Sequence, residues 1–144
     1  MASKTVSVTA SMGSGWAISS DIRDHKVVID QPQASGGTNE GPTPLEYFLF
    51  SIAGCVGSIG RIAANQQKID LKGMEIFVEA DLNPKGLMGL ETEDRVGFQQ
   101  IRISARIDAD LSDAEKQIFL DEVCDRCPLH DNTKLETEVL HQLA

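Results

Sequence analysis

Cys55, Cys124 and Cys127 are the residues of this chain with the widest chemical range. A thiolate attacks peroxides and disulfides or binds a metal, and its population depends on nearby electropositive groups. Cys124-Asp125-Arg126-Cys127 is a C-x-x-C, a spacing that suggests a redox pair or half of a metal site. His130 and Asp131 would complete a four-ligand zinc set, but no second Cys or His pair stands elsewhere. Arg126 could stabilise a neighbouring thiolate. The plain alternative for each cysteine is a small buried hydrophobe.

Cys55 must be positioned by the segment before it. Pro44 suits the first turn of a helix, and Thr43 is an acceptable N-cap. Leu45, Phe48, Leu49, Ile52, Val56, Ile59 and Ala63 then recur on one helical face, so a helix is predicted from Pro44 to about Gln67. Cys55 borders that face. Glu46 lies about 180° around the helix from Cys55, so it reads as a first-turn carboxylate. Gly54, Gly57 and Gly60 imply a close approach to the helix backbone, either by a second helix or by a substrate. Cys127 precedes Pro128, which ends one helix and can open another with Cys127 as its N-cap.

The remaining elements read as strands and one more helix. Residues 4–10 alternate, Trp16 and Ile18 alternate with Ala17 and Ser19, and Val27 to Ile29 form a third apolar run. Short turns between them imply an antiparallel meander. Trp16 is expected in the core or on a cleft wall. Residues 31–43 form a long loop leading to the helix. Met74 to Ala80 and Ile101 to Ile107 alternate, and Glu75 and Glu79 could face Arg102 and Arg106 across an antiparallel pair. The loop Pro84 to Leu90 carries apolar residues that could close over a cleft or meet a partner. Ser112-Asp113-Ala114-Glu115 is a capping box opening a helix that should end near Cys127. Leu135 to Leu140 read as a last strand.

At 144 residues the chain suits one domain, 1–144, and 41% hydrophobic content is enough for a core. Only 5% is aromatic, so that core must rest on Ile, Val, Leu and Ala. A net charge of −9 without a Lys/Arg cluster argues against nucleic acid and anionic membranes as partners. No signal-like apolar segment and no membrane-spanning run is evident, and the cysteine count is odd. A reducing, cytoplasmic location is therefore expected.

Pro44-Leu45-Glu46 followed by the apolar helix to Ala53-Gly54-Cys55, with Cys127-Pro128-Leu129 after an amphipathic helix, resembles the OsmC/Ohr family. The resemblance covers nearly the whole chain. It implies an α+β fold with antiparallel sheets around two central helices, in an intertwined homodimer. It also implies a thiol peroxidase acting on organic hydroperoxides, with Cys55 peroxidatic, Cys127 resolving, a dithiol as reductant and no cofactor. Cys124 is an additional thiol that could compete as resolver, and Glu46 and Arg126 are possible auxiliaries. Hydroperoxide reductases of this family carry an arginine in the first hairpin, where this chain reads Met12-Gly13-Ser14-Gly15-Trp16. That departure leaves a second expectation: a small-molecule or sulfur-carrier binding protein with little turnover.

Overall fold

The structure is a computed structural model that describes residues 2–144. The chain forms two compact units, one ending at Phe48 and the other running from Leu49 to Ala144.

The first unit is an antiparallel meander of β1 (Ser11–Met12), β2 (Ile18–Ile22) and β3 (His25–Ile29). Ser11 pairs with Ser19, and Ile22 pairs with His25 across a two-residue turn that holds Arg23 at φ 53°. The strand predicted over residues 4–10 does not form. The Ser20 hydroxyl donates to the Thr9 carbonyl at 2.6 Å, and Val6 and Val8 remain exposed. Alternation marks a segment able to bury one face, but a strand also needs an edge to pair with. Trp16 is 57% exposed rather than a core residue, with its indole against Gly36.

The loop after β3 is organised by Asp30, which sequence reasoning passed over. Its carboxylate is buried and accepts the amides of Gln31, Thr38 and Glu40 and the Thr38 hydroxyl. Backbone amides, Glu40 and then Gln31 foremost, hold this carboxyl below the usual range. The Asp30 amide in turn donates to the Pro42 carbonyl at 3.1 Å, which ties down the chain just before the long helix.

That helix, α1 (Pro44–Gln67), starts at the predicted proline. Thr43 and Glu46 form a reciprocal cap. The Glu46 carboxylate accepts the Thr43 amide and hydroxyl, and the Glu46 amide donates to Thr43 Oγ1. By length and composition alone α1 could cross a membrane, contrary to the sequence expectation that no run is long enough. Its role here is to supply Ile52, Val56, Ala63 and Ala64 to the core.

In the second unit, β4 (Gly73–Asp81) pairs antiparallel with β5 (Gln100–Asp108). The register sets Glu75 opposite Arg106 and Glu79 opposite Arg102, and both pairs form ion contacts. On the other face, Met74, Ile76 and Val78 pack on the core, the first two against α1. A Cβ at Gly60 would meet Met74 Sδ at 2.7 Å, and one at Gly57 would meet Ile76 Cδ1 at 3.3 Å. The close neighbour implied by these glycines is therefore a strand, not a second helix, whereas Gly54 faces open space.

α2 (Asp113–Asp125) opens with the predicted Ser112/Glu115 capping box and buries Phe119 and Val123. α3 (Pro128–Lys134) follows, with Cys127 as its N-cap. Ile107, Phe119, Val123 and Cys127 complete one core with the α1 residues. The last predicted strand, Leu135 to Leu140, does not form: these residues pair with no strand among the described residues, and Val139 and Leu140 are exposed.

Candidate redox site

Two elements remote in sequence bring their sulfurs together. Cys55 sits midway along α1, and Cys127 sits at the junction of α2 and α3. Their Sγ atoms lie 2.7 Å apart although the residues are 72 positions apart in the chain. Both are free thiols, and a bonded pair would be about 2.05 Å apart. The junction geometry follows from Pro128. Cys127 leaves the helical region because a proline follows it, and at φ −81°, ψ 116° it becomes the cap of the next helix.

That cap aims α3's first free amides at the sulfurs. Pro128 has no N–H. The Leu129 amide donates to the Cys55 sulfur, and the His130 amide donates to Cys127 Sγ at 3.4 Å. Cys-Pro signals such donors beside Cys127, because the two residues after an N1 proline carry orphan amides; that one of them serves Cys55 depends on the tertiary contact.

Burial differs between the two cysteines. Cys127 is 1% exposed, whereas Cys55 is half-buried. Burial pushes the Cys55 thiol above its ordinary value of 9.0, contact with Cys127 adds to this, and the Leu129 amide opposes it. No cation is among these groups.

The other sequence candidates are placed elsewhere. Glu46 is engaged by Thr43, whose hydroxyl foremost keeps that carboxyl low. The Arg126 guanidinium is taken up by Glu122 at 3.2 Å and Gln66 at 2.9 Å, where it clasps α2 to α1 rather than facing a sulfur. Cys124 lies in the last turn of α2, half-buried. Burial foremost, then Cys127, Asp121 and Asp125, push its thiol up. Among the described residues no group of three or more His, Cys, Asp or Glu is arranged to hold a metal ion, so the zinc set of Cys124, Cys127, His130 and Asp131 is not assembled.

The family profile described as OsmC-like protein matches residues 37–141, which includes both paired cysteines. The chain belongs to the OsmC-like family. Solved structures agree on the fold. An OsmC-like protein from Mycoplasma pneumoniae is 20% identical, with a TM-score of 0.78 over 91% of this chain and 88% of that one. An organic hydroperoxide resistance protein OsmC from Legionella pneumophila is 23% identical, with a TM-score of 0.70 over 93% and 92%. The organic hydroperoxide resistance protein OhrB of Bacillus subtilis is 24% identical, with a TM-score of 0.59 over 92% and 93%. No curated protein sequence shows significant similarity to the chain. The α+β architecture with two small antiparallel sheets is thus the OsmC/Ohr fold.

Proposed function

We propose that this OsmC-like protein is a cysteine-based peroxidase that reduces organic hydroperoxides. The observation that carries the reading is the 2.7 Å approach of Cys55 and Cys127, with Cys55 half-buried and Cys127 sealed in the core. The Cys55 thiolate attacks the distal oxygen of the hydroperoxide. An S–O bond forms, the O–O bond breaks, and the leaving alkoxide takes a proton to become an alcohol. The resulting sulfenic acid is attacked by Cys127, forming the S–S bond and releasing water. An external dithiol restores both thiols by exchange and leaves as its own disulfide. The Leu129 amide, aimed at the Cys55 sulfur, is the donor available to its thiolate.

Two further parts belong to this reading. The working unit is a homodimer: residues 4–10 and 135–140 pattern as strands yet have no partner strand among the described residues, and Phe50 and Phe77 are 71% and 60% exposed. The compartment is the cytoplasm, where a dithiol reductant operates. The test is steady-state consumption of cumene hydroperoxide with dithiothreitol as reductant. Turnover that Cys55→Ser abolishes supports the proposal; equal rates in wild type and variant overturn it.

A second reading is favoured by the raised Cys55 thiol and the absence of a cation among the groups that shift it. On that reading the chain binds a small molecule or carries sulfur, with little turnover. A persulfide or thiol adduct on Cys55 in denaturing mass spectra of freshly purified protein would select it over the peroxidase.

A further inference from the structure

We propose that Cys124 is a third redox centre, which takes over the disulfide from Cys55 and presents it at the surface. The inference rests on the Cys55–Cys127 disulfide of the reading above and concerns its fate.

Cys127 meets one cysteine through its sulfur and another through its backbone. Its Sγ contacts Cys55, while its amide donates to the Cys124 carbonyl at 3.1 Å, closing a turn over the C-x-x-C. A turn closed by such a bond keeps its end Cα atoms within about 7 Å, and disulfides span Cα separations of about 4.4–6.8 Å. Cys124 and Cys127 are also close enough to interact electrostatically. The three thiols therefore form a chain with Cys127 in the middle.

The ends of that chain open in different ways. Cys127 itself is sealed. Cys124 opens into a separate groove of about 510 Å³, lined by Ile101, Ile103, Leu120, Asp121, Asp125 and His130.

The exchange balances without added electrons. The Cys124 thiolate attacks Cys127 Sγ of the Cys55–Cys127 disulfide. The Cys124–Cys127 bond forms, the Cys55–Cys127 bond breaks, and Cys55 leaves as a thiolate that takes up a proton. A dithiol of small-molecule or protein type then attacks Cys124, frees both thiols and departs as a disulfide.

Disulfide connectivity in a glutathione redox buffer tests this without any hydroperoxide. After acid quenching, alkylation and peptide mapping, wild type is expected to contain both Cys55–Cys127 and Cys124–Cys127 bonds. Cys55→Ser is expected to contain Cys124–Cys127 alone. Wild type with only Cys55–Cys127, together with a fully reduced Cys55→Ser, overturns the relay. In stopped-flow reduction of oxidised protein by a thioredoxin-type dithiol protein, Cys124→Ser is expected to be slower by about tenfold, the loss of an intramolecular thiol at high effective concentration. Equal rates overturn the proposal. Failure of cumene hydroperoxide to oxidise the reduced protein, with the redox-buffer connectivity as expected, would sink the peroxidase reading and leave the relay standing.

Discussion

Replacing Cys127 by serine should remove its redox function while sparing the fold, and the structure says by how much. Cys127 has two structural roles: a buried residue of the core and the N-cap of α3. Serine buries a hydroxyl in place of a thiol, which costs about 1–3 kcal/mol in protein interiors before any hydrogen bond offsets it. It is also a far better cap than sulfur, and a good cap contributes about 1 kcal/mol. The His130 amide, now 3.4 Å from sulfur, would gain an oxygen acceptor. The net loss should be about 1 kcal/mol. Cys127→Ala forfeits the cap and leaves a void, for about 2 kcal/mol or more. Urea unfolding with unchanged m-values measures both. Cys127→Ser should then accumulate a Cys55 sulfenic acid that dimedone traps after one equivalent of hydroperoxide, with little adduct in wild type. A serine variant less stable than the alanine variant would refute the cap assignment. A serine variant that folds yet gives no more adduct than wild type would refute the resolving role.

Cys55 oxidation should rise about tenfold per pH unit between about pH 6 and pH 8, because a thiol held above 9.0 ionises only fractionally there; a flat stopped-flow profile would contradict this. Asp30→Asn should lower the urea midpoint at neutral pH. Because the native Asp30 pKa is depressed, its stabilisation exists above the unfolded value of 3.8 and is lost as pH falls through the folded one, so wild type and variant should converge in acid. Gly54→Ala should stabilise the fold by about 1 kcal/mol, since open space surrounds the position; destabilisation would show that another surface covers it.

The elements with local signals were legible from residues alone. Pro44 with its apolar repeat marked α1, Ser112 and Glu115 marked α2, and Cys127-Pro128 marked α3. The antiparallel pairing of β4 with β5 was legible from charges that alternate on both strands, and the structure supplies the register. What depended on a distant partner was not legible. Residues 4–10 and 135–140 carry strand patterns, but pairing is not a property of a segment, and neither finds a partner strand among the described residues. The glycines of α1 signalled a close neighbour without saying that Met74 and Ile76 of a strand would fill the space. Asp30 was missed because its partners are mainly backbone amides, which leave no trace in side-chain identity. At the site, the two cysteines could be singled out by residue type and family resemblance. Their separation and the amides of Leu129 and His130 depend on how the α2–α3 junction meets α1.

The most direct measurement is thiol stoichiometry. Fully reduced protein is mixed with one equivalent of cumene hydroperoxide per chain, quenched in acid, and its free thiols are counted beside the alcohol released. The account predicts two thiols lost for each alcohol formed in wild type, and no disulfide and no alcohol with Cys55→Ser. Three thiols retained in wild type, or the same loss in Cys55→Ser, would contradict it.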